Sequence, residues 1–336
     1  MVWLKFAASI AIILFAGTKL ARYGDAISEK TGLGRIWIGL LLLSAITSMP
    51  ELITGVSSAS LVKLPDMAMG TLLGSCLFNL MILAILDMVY KPAPILGQVS
   101  TGHIVSAATA VFIAAVVAGG INLGERFPQL AFGWVNLFGI LPMVIYLAGL
   151  YWVFRRERNR HNEPLLPEPF QYQKLPTRTV YLRFALSAAA VIGAGIWLSY
   201  IGEEIALTYN LQTSFVGTLF LAITTSMPEL AVTLAVLRLG ALDMAVANIL
   251  GSNMFNLALI TPVDIAYRRG PALAAISPSQ MVTVLLVILM SLLVIIGIRT
   301  RPQHRILSRV SWYSIALIAL YIFGIYYIFV SGQMAV

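Results

Sequence analysis

Runs of about 20 apolar residues, the length that crosses a bilayer as a helix, follow one another through most of this 336-residue chain. Only 11% of the residues are charged and 59% are hydrophobic; a soluble domain carries about 25% charged residues. So few charges cannot cover a water-facing surface. In lipid every backbone polar group must be satisfied within the protein, which leaves helices or closed barrels. The runs are continuous and lack the alternation of a barrel strand. The chain is therefore expected to be an all-α membrane protein. Spans are expected near 5–23, 35–60, 66–89, 101–119, 129–153, 181–201, 211–237, 243–266, 276–298 and 309–330. The first run could pass for a signal peptide, but its counterpart at 181–201 argues for a retained span.

One long polar segment, Arg155 to Arg178, interrupts the pattern with four arginines and then prolines at 164, 167, 169 and 176. It reads as a linker, 154–180, between a first unit, 1–153, and a second, 181–336. The two units are related. A shift of 178 residues aligns Glu51 with Glu229, Gly39 with Gly217 and Gly24 with Gly202. After a one-residue slip, a shift of 177 aligns Asp66 with Asp243, Gly74-Ser75 with Gly251-Ser252, Phe78-Asn79-Leu80 with Phe255-Asn256-Leu257, and Asp87 with Asp264. Such matches imply an internal duplication. Five spans per copy is an odd number, so the second copy enters the membrane from the opposite side. The expectation is ten transmembrane helices in two inverted-topology five-helix repeats, as in many secondary transporters.

Positive charge sets the orientation. With both termini outside, 17 Lys and Arg fall in inward loops, including the linker, against 4 in outward ones: Lys63, Arg126, Arg268 and Arg269. That asymmetry follows the positive-inside rule. It also accounts for the net charge of +8 without nucleic acid. The single cysteine, Cys76, excludes an intramolecular disulfide and a thiolate cluster, and three scattered histidines make no metal site.

The chemistry gathers around a repeated hexapeptide. Thr-Ser-Met-Pro-Glu-Leu stands at 47–52 and again at 225–230. A charged acid at mid-helix costs about 2.5 kcal/mol or more, so intramembrane acids are functional by default; this chain holds the same one twice. Pro50 and Pro228 lack an N–H and collide with the carbonyl four residues back, loosening the ladder at Ile46 and Thr224. Thr47, Ser48, Thr225 and Ser226 lie three or four residues before the acids, on their helix face. A second motif, Gly74-Ser-Cys-Leu-Phe-Asn79, matches Gly251-Ser-Asn-Met-Phe-Asn256. Its Ser75 and Asn79, like Ser252 and Asn256, are four apart on one face. The donors are hard oxygens throughout, suited to Ca²⁺ or Na⁺ and poorly to Zn²⁺ or copper. Two carboxylates balance one divalent ion, and could instead hold Na⁺ or protons. Empty, they would resist reorientation. Asp66, Asp243, Asp87 and Asp264 read as helix-end residues, Asp25 and Glu203 as loop or interface charges, His103 as an interfacial residue, and Trp3, Trp152, Tyr313 and Tyr326 as belt anchors.

These paired motifs resemble the two α-repeats of the calcium/cation antiporter superfamily, whose best-known members are Na⁺/Ca²⁺ exchangers. The resemblance covers essentially the whole chain. It implies calcium-ligating acids at Glu51 and Glu229. It implies hydroxyl and backbone ligands at Thr47, Ser48, Thr225, Ser226, Ser75 and Ser252, carbonyls near Ser44 and Ala222, and amide positions at Asn79 and Asn256. Three departures stand out. Asn256 replaces an aspartate of potassium-dependent and some prokaryotic members, Cys76 breaks the Gly-Ser-Asn pattern, and Ile46 and Thr224 replace a glycine.

The expected protein is a monomeric antiporter of the cell membrane, not an enzyme and without a cofactor, that exchanges Ca²⁺ for Na⁺ by alternating access and extrudes Ca²⁺. The first and sixth spans would slide across the core. The alternative within the fold is exchange of Ca²⁺ or another divalent cation for H⁺. An intramembrane hydrolase with a Ser nucleophile gains nothing from a duplicated site, and a passive channel would conduct without countertransport.

Overall fold

The structure is a computed structural model that describes residues 1–31, 44–124, 131–158, 175–238, 240–306 and 310–334. It is built almost wholly of helices. Among the described residues, seven helices are long and apolar enough to cross a membrane, or eight if the bent pair at 213–238 is one span. The helices used below, these and shorter ones, are α1 (Val2–Thr31), α2 (Met49–Ser60), α3 (Pro65–Val89), α4 (His103–Leu123), α5 (Leu137–Arg158), α6 (Thr177–Tyr209), α7 (Thr213–Thr225, with a π-turn at Gly217–Leu221), α8 (Met227–Arg238), α9 (Leu242–Ala258), α10 (Ile260–Ala266), α11 (Ser279–Thr300) and α12 (Trp312–Met334). The span expected at 35–60 falls partly outside the described residues; its described part is a helical turn at 44–47 followed by α2. The span expected from 129 starts at Leu137 instead, because a short hairpin, Ala131–Phe132 with Val135–Asn136, precedes it. Gly133 in the hairpin turn has φ 66, a conformation that suits glycine.

Burial separates core helices from peripheral ones. The most apolar window of α3 is 78% buried and that of the α9–α10 span 83%, against 28–50% in the other unbroken spans. Glycines let these helices meet backbone to backbone. A Cβ on Gly74 of α3 would collide with the Thr218 carbonyl oxygen of α7, and one on Gly217 would collide with that of Met67. Helix α4 packs on α5, α9 and α11, and α12 packs on α3 and α11. The longest helices, α1 and α6, pack along each other and reach the core through α2, α7 and α8.

Residues matched by the duplication make matched contacts. Asp66 Oδ1 accepts from Ser277 N at 2.7 Å, and Asp243 Oδ1 accepts from Ser100 N at 2.7 Å. Asp87 Oδ1 accepts from Ile95 N at 3.0 Å, and Asp264 Oδ1 from Ala272 N at 2.5 Å. Asp87 and Asp264 thus clasp the loop after their helix. Asp87 also accepts from Tyr313 Oη at 2.6 Å and Ser314 Oγ at 2.8 Å. Arg305 Nη2 caps the end of α3 by donating to the carbonyls of Asp87, Tyr90 and Ala93, a favourable place for a cation. His103, at the start of α4, bonds Asp243 Oδ1 at 2.8 Å.

Two faces can be named from these contacts. Trp3 Nε1 donates to Tyr209 Oη at 2.6 Å, so α1 starts where α6 ends. A Cβ on Gly70, in the second turn of α3, would lie 2.8 Å from the Ser214 carbonyl oxygen at the start of α7. We call this the Trp3 face. On the opposite, Arg183 face, Arg183 Nη1 donates to Tyr23 Oη at 3.2 Å.

The glycine contacts give a direct test. Gly74→Ala or Gly217→Ala should each lower the thermal unfolding midpoint in detergent, at about 1–3 kcal/mol for overpacking. A Cβ on Gly193 would meet nothing within 4 Å, so Gly193→Ala should leave the midpoint unchanged or raise it.

Candidate functional site

The repeated hexapeptide breaks its helix, and the break lies two residues before the proline. Ser48 has φ −87 and ψ 13, and Ser226 has φ −86 and ψ 4; both lie in the sparsely populated bridge region. Ser48 N still donates to Ser44 O at 3.0 Å and Ser226 N to Ala222 O at 3.1 Å. The next turn lacks one donor at each proline, and a new helix starts with the acid in its first turn, α2 with Glu51 and α8 with Glu229. A carboxylate there lies close to the positive end of its helix.

The two breaks face each other. Ser48 Oγ donates to Glu229 Oε1 at 2.9 Å, and Ser226 Oγ donates to Glu51 Oε1 at 2.8 Å. Each acid is therefore held by the serine of the other repeat. Both acids and both serines are fully buried. Ser75 Oγ, from α3, lies 3.4 Å from Glu51 Oε1, from the Ala222 carbonyl oxygen and from Thr225 Oγ1. Thr47 Oγ1 donates to Ser44 O at 3.1 Å and Thr225 Oγ1 to Ala222 O at 3.3 Å. Gly74 and Gly251 bring α3 and α9 against the same breaks: a Cβ on Gly74 would lie 2.9 Å from Ala222 Cβ, and one on Gly251 would lie 3.0 Å from Ser44 Oγ.

Hydrogen bonding leaves a distinctive remainder. Glu51 Oε2, Glu229 Oε2, both amide atoms of Asn79 and of Asn256, and Ser252 Oγ are buried without a protein partner. Buried polar atoms are nearly always partnered. A buried carboxylate loses several kcal/mol of hydration, and one hydroxyl donor restores about 1.5–3 kcal/mol of it. The donor set thus keeps free lone pairs on two carboxylates and several neutral oxygens, the kind of atoms a hard cation takes. Among the described residues no three His, Cys, Asp or Glu side chains form a metal-binding group, so any ion here depends on the neutral oxygens.

The chain matches the family described as sodium/calcium exchanger protein over residues 1–155 and 179–330. The chain belongs to that family. Within it, this exchanger-family chain is 26% identical over 274 residues to the inner membrane protein YrbG of Escherichia coli K12, covering 77% of this chain and 81% of YrbG. Its fold is that of the sodium-calcium exchanger NCX_Mj, with TM-score 0.63 and 21% identity over 97% of this chain and 99% of that one. It is also that of the H⁺/Ca²⁺ exchanger CAX, with TM-score 0.71 and 14% identity over 99% and 86%.

Helices α1 and α6 meet the site region unequally. A Cβ on Gly17 of α1 would lie 2.5 Å from Pro228 Cγ. Gly195 of α6 is its match in the repeat, and the matched contact would be Pro50. Instead, Gly195 lies against Ile53 and Thr54. Gly24 lies against Ile46, but Gly202 lies against Leu221 rather than Thr224. Both offsets of α6 are three residues or slightly more, and both run toward the Trp3 face. At 1.5 Å per residue this is roughly 4.5 Å.

Of the candidate residues named from sequence, Glu51, Glu229, Ser48, Ser226, Ser75 and Thr225 are joined by contacts at this crossing. Thr47 bonds the Ser44 carbonyl, and the Ser44 and Ala222 carbonyls already accept helix bonds. Asn79, Asn256 and Ser252 are buried on α3 and α9 without a protein partner. Sequence reading passed over the residues on α2 beyond Glu51: Thr54, Ser57 and Ser58 are buried hydroxyls. The signal was present, since their matches at 232, 235 and 236 are Val, Ala and Val. It also missed that Cys76 and its match Asn253 touch, Sγ to carbonyl oxygen at 3.7 Å.

The crossed serine bonds make a paired expectation. Ser48→Ala and Ser226→Ala should weaken equilibrium Ca²⁺ binding to a similar degree, each by roughly tenfold for one hydrogen bond to a charged group, measured by calorimetry in detergent.

Proposed function

We propose that this protein is a secondary antiporter that exchanges Ca²⁺ for Na⁺ across the cell membrane by alternating access and extrudes Ca²⁺. The observation that carries the reading is the pair of crossed, fully buried carboxylates, each with one unpartnered oxygen, together with unpartnered amide and hydroxyl oxygens buried on α3 and α9. In this reading Glu51 and Glu229 supply charge. Thr47, Ser48, Ser75, Thr225, Ser226, Ser252, Asn79 and Asn256 supply neutral oxygens, with the carbonyls of Ser44 and Ala222. Two carboxylates neutralise one Ca²⁺. When Ca²⁺ leaves, the empty pair is a costly object to carry through the membrane, and Na⁺ ions taking the same oxygens remove that cost. This coupling of occupancy to movement makes the cycle an exchange rather than a leak.

The architecture that goes with it is ten spans in two inverted five-helix repeats, 1–153 and 181–336, joined by the linker 154–180. The Arg183 face is cytoplasmic, as the positive charges require, and the termini are outside. The chain works as a monomer, because one copy carries both carboxylates. Matched contacts between the repeats and the offset of α6 support this: a pair of helices displaced by about a turn from two-fold register is what a sliding gate looks like at one end of its travel. Consistent with that, Thr54, Ser57 and Ser58 beneath α6 are buried, whereas Ala235 on α8 is exposed.

Proton countertransport is the second reading. It is favoured by the absence of a third acid at Asn79 or Asn256, since two protons neutralise the pair fully. Na⁺ is preferred because protons make no use of the unpartnered amide oxygens.

Purified protein in liposomes should take up radioactive calcium when an outward Na⁺ gradient is imposed, and Glu51→Gln or Glu229→Gln should abolish uptake while the protein still elutes as a folded species. Uptake driven equally well by a proton gradient without Na⁺ would select the second reading; full uptake by either variant would exclude both.

A further inference from the structure

We propose that the hydroxyls of Thr54, Ser57 and Ser58 on α2, with Ser199 on α6, line the ion passage from the site to the Trp3 face. The four matched positions of the second repeat are apolar, so the two mouths handle ions unequally. This rests on the antiport reading above and adds to it which residues ions pass and on which side.

The stripe starts at the site. Thr54 and Ser58 follow Glu51 by three and seven residues, so all three share one side of α2, and Ser57 flanks them. Thr54, Ser58 and Ser199 are fully buried and Ser57 is 5% exposed. Hydroxyls in membrane helices commonly turn back onto their own helix. Several here do: Ser60 Oγ bonds Val56 O at 2.6 Å, Thr71 Oγ1 bonds Met67 O at 2.8 Å and Thr224 Oγ1 bonds Phe220 O at 2.7 Å. The stripe adds bonds between helices: Thr54 Oγ1 reaches across to Gly195 O of α6 at 3.4 Å, and Ser199 Oγ is shared between Gly195 O of its own helix and Thr54 O of α2, each at 3.1 Å, while Ser58 Oγ has no partner.

An interface meant to stay closed in lipid has no use for an unpartnered hydroxyl, since burying one without a bond is unfavourable. At the matched positions the second repeat is apolar: Val232, Ala235, Val236 and, for Ser199, Ala21. The buried hydroxyl that follows Glu229 there, Thr233, is satisfied by Asn248 Nδ2 at 3.0 Å. The polar version on one side only is explained if water and partly hydrated ions replace α6 over the stripe during part of the cycle. The displacement of α6 toward the Trp3 face covers the stripe in the state seen here. Sliding back by the same offset separates Ser199 from Thr54 and frees four hydroxyls to stand in for hydration water above Glu51.

Cysteine labelling tests this cleanly, because the chain's one cysteine, Cys76, is fully buried. Ser58→Cys should retain measurable exchange, react with a membrane-impermeant methanethiosulfonate added at the Trp3 face only, and lose most of that exchange on reaction. Independently, the combined change Thr54→Val, Ser57→Ala, Ser58→Val should raise half-saturating Ca²⁺ at the Trp3 face by roughly fivefold or more, the worth of about one hydrogen bond. Half-saturation at the Arg183 face and equilibrium binding in detergent should stay unchanged. Ser58→Cys that transports but never reacts, or reacts without loss of exchange, overturns the proposal, as does an equal change at both faces. If the parent itself shows no gradient-driven Ca²⁺ flux, the antiport reading fails, and that failure is recognised because it appears without any substitution.

Discussion

Two carboxylates placed out of reach of water, each bonded by the serine of the opposite hexapeptide, are the constraint on which the other features depend. A serine hydroxyl offsets only part of the hydration a buried carboxylate gives up. The remainder has to come from a cation or a proton. Everything near the crossing serves that need without adding charge: broken helices, hydroxyls, amides, and glycines that let α3, α7 and α9 come close. The bridge-region backbone at Ser48 and Ser226 turns the serine of one break toward the acid of the other, which an unbroken helix could not do.

The duplication turns a local device into a transport site. Matched residues do not simply repeat a contact within each half; they bond across the halves, as Ser48 to Glu229 and Ser226 to Glu51, or Asp66 to Ser277 beside Asp243 to Ser100. The clasps at Asp87 and Asp264 hold the ends of the two most buried helices. Against this fixed frame α1 and α6 stand apart. They pack chiefly on each other, and their glycines meet the frame in different registers. In the antiport reading, crossed carboxylates related by the duplication and a pair of helices in unequal register suit a molecule that exposes one site to two faces in turn.

Much of this was legible in the sequence, for identifiable reasons. The acids stood out because charge in an apolar run is rare, and the duplication because Thr-Ser-Met-Pro-Glu-Leu recurs unchanged. Helix ends were less legible. The span expected at 181–201 extends over Thr177–Tyr209, since flanking Arg, Tyr and Glu residues continue a helix into the interface without raising its hydropathy. The hairpin at 131–136 was hidden for a similar reason: Phe132, Trp134 and Val135 read as apolar membrane sequence. Pro50 and Pro228 pointed to the breaks, but the altered backbone lies two residues earlier, at Ser48 and Ser226. Asp87 read as a helix-end residue, but nothing in the sequence showed that its oxygens would be filled by Ile95, Ser311, Tyr313 and Ser314. Contacts between distant segments of this kind leave no periodic trace in a sequence.

The central claim is that one cation occupies the crossed carboxylates and that its countersubstrate occupies the same oxygens. Equilibrium Ca²⁺ titration of the purified protein, repeated at rising Na⁺ and constant pH, tests it most directly. The account expects a single Ca²⁺ per chain and a competitive loss of affinity that grows more steeply than the first power of Na⁺ concentration. Several Ca²⁺ per chain, or binding that is retained when Na⁺ and protons are both raised, would contradict it.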